Sequence, residues 1–223
     1  MGRPRRLVEL SHVVRHGMVT HPGLPGPEIS DHLSRAASRR RYPPGTEFQI
    51  GRISLVANTG TYLDTPFHRY AGGTDLAGVD LARLVDVDGL LVDATGAGQR
   101  GIGPDQLVRH PVAGRAVLIR TGWDRHWGTD RYGAAEHPYL TAEAATWLAG
   151  QDPAVVGIDS VNIDDLADLT RPAHTALLGA GIPIVEHLRD LGQLPPTGFR
   201  FHAPPVAVAG MGTFPVRAYA ILD

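Results

Sequence analysis

One run of polar residues, placed directly after a strand-like segment, constrains this chain more than any other feature. The segment is Phe48–Ala57, in which apolar residues alternate at period two. The run that follows reads Asn-Thr-Gly-Thr-Tyr-Leu-Asp-Thr-Pro-Phe-His, from residue 58 to residue 68. If the alternation continues, Asn58, Tyr62 and Asp64 point to the face opposite the apolar side chains, and Pro66 ends the strand. A row of polar groups that ends in a carboxylate and a nearby imidazole predicts one wall of a reaction site.

Short strand-like segments recur along the whole chain, and a few helical patterns alternate with them. The clearest helix has Thr141 as its N-cap and ends at Gly150, and shorter helices are predicted at Pro104–Arg109 and His174–Gly179. Strands outnumber helices, so the pattern predicts a mixed α/β fold. The predicted strands are Leu7–Leu10, Phe48–Ala57, Leu90–Ala94, Ala116–Thr121, Val155–Ile158, Pro183–Glu186, Phe199–Val208 and Val216–Leu222.

Length and composition restrict the class of protein. The chain has 223 residues and no low-complexity linker, which predicts a single domain over residues 1–223 with a full hydrophobic core. A formal net charge of −2 gives no reason to expect a nucleic acid or a membrane as partner. The absence of cysteine excludes a disulfide framework, a thiolate nucleophile and a cysteine-ligated zinc site. No apolar run has transmembrane length and no signal-peptide core is visible, so we expect a cytoplasmic enzyme.

The run from residue 58 to residue 68 resembles the signature of the cyclase family, which includes kynurenine formamidases and isatin hydrolases. Members of that family read His-x-Gly-Thr-His-x-Asp-x-Pro-x-His at this point. Asn58 and Tyr62 stand where the first two histidines belong, whereas the other five positions match. Further blocks extend the resemblance over nearly the whole chain. The matching residues and blocks are Gly60, Thr61, Asp64, Pro66 and His68, then Val8–His12, Gly17–Gly23, Gly157–Ser160, His174 with Leu177 and Leu178, Ile184–Glu186, Phe201–Pro205 and Pro215–Ala218.

The resemblance implies a single-domain mixed β-sheet with flanking helices, assembled as a homodimer or homotetramer. It also implies a metal site, because the family positions that match Asp64, His174 and Glu186 hold a divalent metal together with the two histidines that this chain lacks. One zinc or manganese ion on these three residues is chemically reasonable, and three protein ligands leave a position for water or substrate. The alternative is that no metal is bound. Without a cation, repulsion between the Asp64 and Glu186 carboxylates raises the pKa of one of them. The pair then contains one proton donor and one proton acceptor.

The remaining polar positions of the motif have predicted roles as well. His68 matches the general acid/base of the family hydrolases, and imidazole exchanges protons near neutral pH. Tyr62 is predicted to donate a hydrogen bond to a carbonyl oxygen, and Asn58 to contact the substrate through its amide. His187 follows Glu186 in a predicted strand, so we expect it to face away from that carboxylate. Six histidines are interpreted as structural or exposed, although one could replace a lost ligand: His12, His21, His126, His137, His187 and His202.

Aromatic residues cluster in the segment after the predicted strand Ala116–Thr121, namely Trp123, Trp127, Tyr132 and Tyr139. One interpretation is core packing at a subunit contact. The other is an aromatic lid over a ring-containing substrate, which makes Trp123 and Trp127 candidate substrate-binding residues.

Three further motifs are interpreted as structural. Gly96–Gly101 fits Gly-x-Gly-x-x-Gly, but Pro104 interrupts the expected helix, so the segment is predicted to be a loop. The four aspartates at 159, 164, 165 and 168 lack the spacing of a calcium loop and are predicted to cap a turn and a helix. Ser160 has no nucleophile-elbow context.

Together these patterns favour an enzyme that acts on a small ring-forming or ring-containing carbonyl compound. Because two metal-binding histidines are replaced, the sequence favours acid–base cyclisation or rearrangement, in bacterial specialised metabolism. His68 is then the general base, and Asp64 and Glu186 are a proton-relaying or metal-binding pair with His174 as their partner. One alternative is a single-metal amidohydrolase or lactonase, similar to kynurenine formamidase, that opens an amide, formamide or lactone. A second alternative is a non-catalytic protein that binds a small molecule.

Overall fold

The computed structural model describes residues 5–96 and 98–222. In these ranges the strands are β1 (Arg6–Glu9), β2 (Glu28–Leu33), β3 (Ile50–Ser54), β4 (Tyr62–Asp64), β5 (Val87–Asp93), β6 (Gly101–Ile102), β7 (Ala116–Arg120), β8 (Tyr139–Leu140), β9 (Val155–Ile158), β10 (Ile184–Glu186), β11 (Phe199–His202), β12 (Thr213–Pro215) and β13 (Tyr219–Leu222). The α-helices are α1 (Arg35–Ser38), α2 (Ala142–Gln151) and α3 (Pro172–Gly179). Short 3₁₀ turns occur at Pro66–His68, Leu81–Arg83, Pro104–Gln106, Trp123–His126, Asp130–Gly133 and Leu191–Gln193.

A large mixed sheet organises the described residues, in the order β1-β13-β11-β5-β7-β9-β10-β4-β12. Its central strands β5, β7, β9 and β10 are parallel, whereas the strands on both sides of them pair antiparallel. β2 pairs with β3, and β6 with β8, as separate two-stranded ribbons. This architecture confirms the predicted mixed α/β fold. Over the described ranges, none of the helices combines the length and the apolar character needed to cross a membrane.

The central strands are buried on both faces, because a hydrophobic cluster covers each side of the sheet. Along β7, Val117 and Ile119 belong to one cluster, and Ala116 and Leu118 belong to the other. Helices α2 and α3 pack over the first cluster. Parallel strands that are covered on both faces consist of continuous apolar runs, which is why these strands could be predicted from the sequence.

Two of the three predicted helices are present with shifted ends. Thr141 caps α2 as predicted, and its hydroxyl accepts a hydrogen bond from the Ala144 amide at 3.3 Å. The helix continues past Gly150 and ends where Asp152 adopts a left-handed conformation with φ of 49°. Helix α3 begins two residues before the predicted start, and the segment predicted as the helix Pro104–Arg109 forms only a 3₁₀ turn. The segment predicted as a glycine loop, Gly96–Gly101, is irregular as far as Arg100, and Gly101 begins β6; its Ala97 lies outside the described residues.

The predicted continuous strand through the polar run is wrong. β3 ends at Ser54 and is exposed along its whole length, because it pairs with β2 away from the large sheet. The chain then turns at Gly60, which has φ of 69°, and β4 begins only at Tyr62. Asn58 is therefore not on a strand with Asp64. Tyr62 and Asp64 keep their predicted common face because both belong to β4.

Candidate active site

The register of three strands brings polar side chains to one face near the edge of the large sheet. Tyr62 of β4 lies opposite Glu186 of β10, and Asp64 lies opposite Thr213 of β12. Residues two apart on a strand share a face, so Tyr62 and Asp64 point into the same space. The Tyr62 hydroxyl donates to Glu186 Oε2 at 2.6 Å, and the Thr213 hydroxyl donates to Asp64 Oδ1. Segments 124 and 149 residues apart thus meet in one site.

His174 of α3 completes a buried cluster with Asp64 and Glu186. Its Nε2 lies 3.6 Å from Asp64 Oδ2 and 3.7 Å from Glu186 Oε1. Its Nδ1 lies 2.6 Å from Asp164 Oδ2, and the same carboxylate accepts hydrogen bonds from the Ala173 and His174 amides. Asp164 therefore caps α3, as the sequence predicted, and also orients His174, which the sequence did not reveal.

The charges in this cluster are strongly interdependent. Burial opposes the charged imidazole, but contacts with Asp164 and Asp64 and the charge of Glu186 raise the pKa of His174 to about 10. Burial raises the pKa of Glu186 to about 7, although His174 lowers it, and Asp64 raises it further. Two buried carboxyl groups therefore need a positive charge between them.

Two carboxylates lie beside His174 Nε2, which is 3.6 Å from Asp64 Oδ2 and 3.7 Å from Glu186 Oε1. The ligand atoms of Asp64, His68 and His174 lie within 4.8 Å of one another, so this group could hold a divalent metal. Asp64 Oδ2 is buried and has no hydrogen-bond partner among the described residues. A buried carboxylate oxygen without a partner is unfavourable unless a cation neutralises it. Carboxylate oxygens and an imidazole nitrogen are donors found in catalytic zinc sites, with one coordination position left open. Asp164 supports the His174 ring through Nδ1 as carboxylates commonly support metal-binding histidines.

Tyr62 is the centre of a second cluster, formed with His21, Glu186 and His187. Its hydroxyl oxygen lies 2.6 Å from Glu186 Oε2, 3.1 Å from His21 Nε2 and 3.3 Å from His187 Nε2. Burial raises the pKa of Tyr62 well above its ordinary value, so the phenol remains protonated and its one hydrogen is donated to Glu186. The oxygen then accepts hydrogen bonds from both imidazoles. This geometry supports a role for Tyr62 in holding Glu186, and it leaves no hydrogen for the substrate oxygen that the sequence-based interpretation assigned to it.

His187 does not face away from Glu186, contrary to the prediction. β10 ends at Glu186, and His187 has φ of 57°, in the left-handed region. This conformation turns its ring back toward Tyr62, while its Nδ1 lies 2.8 Å from the Tyr132 hydroxyl. Burial lowers the pKa of His187 well below its ordinary value, so the ring is neutral. The alternation of side chains along a strand placed His187 on the wrong side, because it assumes that the strand continues through His187. A left-handed conformation could not be expected there, since non-glycine residues rarely adopt it.

Tyr62→Phe is expected to lower the free energy of unfolding by about 1–3 kcal/mol, because it leaves three buried or half-buried polar atoms without their partner. Urea unfolding measures this loss. Tyr70→Phe is a matched control, because the Tyr70 hydroxyl donates only to the Thr175 carbonyl, at 2.8 Å. The control should lose less stability, and equal losses would contradict the arrangement around Tyr62.

His68 lies beyond β4 on the turn Pro66–His68, with its side chain 35% exposed. Its Nδ1 lies 2.7 Å from Thr213 Oγ1. Because the Thr213 hydrogen is donated to Asp64, Thr213 must accept from Nδ1–H. His68 Nε2 therefore carries the free lone pair, as a general base requires. Thr213 was not predicted, since it is 145 residues from His68 in the sequence.

A cavity of about 410 Å³ connects these groups. Its lining includes the predicted residues Asn58, Tyr62, His68, His174 and Glu186, while Asp64 is buried behind it. Its lining also includes residues that the sequence analysis did not assign to the site, among them His21, Arg69, Asn162 and Arg171.

Trp123 and Trp127 are not part of this lining. Trp123 is buried in a small aromatic cluster with Tyr132, and its Nε1 donates to the Tyr132 carbonyl at 2.9 Å. Trp127 stacks on His12 with 3.7 Å between the ring centres. The two tryptophans therefore pack against aromatic rings of the same chain and do not line the cavity, and the predicted subunit contact stays a prediction.

Comparison with known proteins agrees with this fold. Residues 8–165 match the family described as "Putative cyclase". The chain belongs to this family. A kynurenine formamidase from Bacillus cereus is 26% identical over 223 residues, which cover 95% of each chain.

Solved structures show the same fold in other members. Isatin hydrolase A from Labrenzia aggregata, bound to benzyl benzoate, has a TM-score of 0.82 at 23% identity, over 98% of this chain and 94% of that one. A protein described as a potential metal-dependent hydrolase with cyclase activity has a TM-score of 0.80 at 24% identity, over 99% of both chains. This cyclase-family member is a hydrolase-like enzyme.

Proposed function

We propose that this cyclase-family protein is a hydrolase with one divalent metal that opens an amide, formamide or lactone bond in a small molecule. The observation that carries the proposal is the convergence of Asp64 Oδ2, His174 Nε2 and Glu186 Oε1 beside a cavity that also exposes His68. The similarity to a kynurenine formamidase supports hydrolysis over the cyclisation that the sequence favoured. Zinc or manganese suits the oxygen and nitrogen donors.

Several residues beside the cavity have distinct roles in this proposed reaction. When bound, the metal supplies Lewis-acid polarisation of the carbonyl oxygen and makes water more acidic. His68 Nε2 accepts a proton from the attacking water and returns it to the leaving nitrogen or oxygen. Thr213 fixes the orientation of His68 and links it to Asp64, whose negative charge stabilises the imidazolium that forms. Tyr62 donates to Glu186 Oε2 and the Ile163 amide donates to Oε1 at 2.7 Å, so the carboxylate is fixed with Oε1 3.7 Å from His174 Nε2.

Acid–base cyclisation without a metal is the second candidate, and one observation favours it. With its pKa raised by burial to about 7, Glu186 can exchange a proton near neutral pH. Asp64 Oδ2 favours the metal-dependent hydrolase, because it is buried without a hydrogen bond and a protonated His174 would reach it only as an ion pair at 3.6 Å.

Exhaustive chelation is expected to abolish hydrolysis, and one equivalent of zinc or manganese to restore it, because the proposed reaction depends on the metal. Elemental analysis of protein purified without chelator or added metal should find about one metal ion per chain. Hydrolysis is measured with formanilide as an aryl formamide and isatin as a lactam. Full activity in chelated, metal-free protein would contradict the proposal and support acid–base cyclisation.

A further inference from the structure

Positive and negative groups are segregated around the cavity. Asp64 and Glu186 are buried at its inner end, which we call the floor. Arg69 and Arg171 line the same cavity and are partly or largely exposed, at what we call the rim. Within residues 5–96 and 98–222, no carboxylate lies within ion-pair distance of either arginine. The rim therefore carries two positive charges that the rest of the described chain does not neutralise by direct contact.

Both arginines are held beside the first turn of α3, the helix that also carries His174. Arg171 immediately precedes Pro172 and has φ of 52°, a strained conformation for a residue with a side chain. Its Nη1 donates to the Asp165 carbonyl at 3.1 Å, whereas Arg69 Nε donates to Thr175 Oγ1 at 3.4 Å. A guanidinium has five N–H donors, so each arginine keeps further donors for a ligand.

The field of Arg171 reaches across the cavity. Burial lowers the pKa of His21 to about 4, Asp64 raises it, and Arg171 lowers it again. His21 Nε2 donates to Tyr62, and the ring is neutral. A neutral imidazole does not compete with the arginines for an anion.

We propose that Arg69 and Arg171 form a binding subsite for a carboxylate group on the substrate. This inference rests on the proposed function and names its substrate class, a small amide, formamide or lactone that also bears a carboxylate. The planar guanidinium fork matches the two oxygens of a carboxylate. The negative floor repels the anionic end of such a molecule and the positive rim attracts it, so the neutral reacting carbonyl faces His68 and His174. A cavity of about 410 Å³ has the size of a site for a single-ring compound.

Binding of benzoate, compared with its neutral analogue benzamide, tests the subsite without any reaction. Isothermal titration of metal-loaded protein should show that benzoate binds more tightly. Arg69→Gln and Arg171→Gln should each weaken benzoate binding by roughly tenfold to a hundredfold, since each removes a charged hydrogen-bond donor. Arg171→Lys should retain part of the affinity. Arg52→Gln, on the exposed strand β3, is the matched control and should bind benzoate like the unaltered protein.

Two results would overturn the subsite. One is equal binding of benzoate and benzamide. The other is benzoate affinity that is unchanged in both glutamine variants, as expected if the metal alone held the carboxylate. Circular dichroism checks that each variant is folded. If Arg171→Gln does not fold, benzoate binding by Arg69→Gln still tests the subsite, because Arg69 is exposed and its replacement should not disturb the fold.

Kinetics with N-formylanthranilate and formanilide separates this inference from the proposed function. The carboxylate-bearing formamide should have the higher kcat/KM, and the two glutamine variants should remove that preference. Arginine-dependent benzoate binding without hydrolysis of either formamide would support the subsite and count against the hydrolase. Hydrolysis of both formamides at equal kcat/KM, unaffected by the arginine variants, would support the hydrolase and overturn the subsite.

Discussion

Replacement of His68 by alanine is expected to reduce kcat by about 10²–10⁴-fold while the protein remains folded. The variant removes the imidazole whose Nε2 carries the free lone pair beside the cavity. Little packing is lost, because the side chain is 35% exposed and its hydrogen-bond partner is Thr213. Steady-state kinetics on an aryl formamide measures the effect, and thermal unfolding checks the fold.

His32→Ala provides the matched control for this variant, since His32 is an exposed histidine on β2, outside the cavity. Its kcat should equal that of the unaltered protein. Undiminished kcat in His68→Ala would remove His68 from the mechanism, whatever the role of the metal.

Asp64→Ala is expected to lose the proposed metal ion. It should also lower kcat/KM by about a thousandfold or more, because a metal ion typically stabilises the transition state by several kcal/mol. Asp64 offers a buried oxygen without a hydrogen bond to the proposed metal site, and its other oxygen accepts the hydrogen bond from Thr213. Both contributions disappear together. Elemental analysis and kinetics measure the two losses separately.

Asp64→Asn keeps the volume of this buried side chain, so it serves as the second variant if Asp64→Ala does not fold. Asp105→Ala, at an exposed position in the turn Pro104–Gln106, is the control for removal of a carboxylate. A full complement of metal in Asp64→Asn, together with unaltered kcat/KM, would show that Asp64 is not a metal ligand.

Local patterns in the sequence were sufficient for much of the fold. Val155–Ile158 was predicted with its observed bounds, because a strand covered on both faces has to be apolar at every position. Thr141 was predicted as the cap of α2, because capping depends on residues within one turn. The motif and the family resemblance also selected Asp64, His68, His174 and Glu186, all of which lie in or next to one cavity.

The site depends equally on contacts that no local pattern contains. Thr213 orients His68 only because β12 pairs with β4 in a register that places Thr213 opposite Asp64. The hydrogen bond from Tyr62 to Glu186 likewise depends on the pairing of β4 with β10. A register between strands more than a hundred residues apart is determined by the packing of the whole sheet, so the sequence of either strand alone does not specify it.

The amino-acid sequence by itself determined the fold class and which acidic and imidazole groups were available for chemistry, because periodicity, caps and motif spacing are local properties. Only the tertiary structure decided how those groups are used. The left-handed backbone conformation of His187 turns its ring toward the Tyr62 hydroxyl. That hydroxyl donates its hydrogen to Glu186. The folded chain also brought Arg69 to the rim occupied by Arg171. These outcomes depend on backbone conformation and on packing between distant segments, where many weak contacts act together.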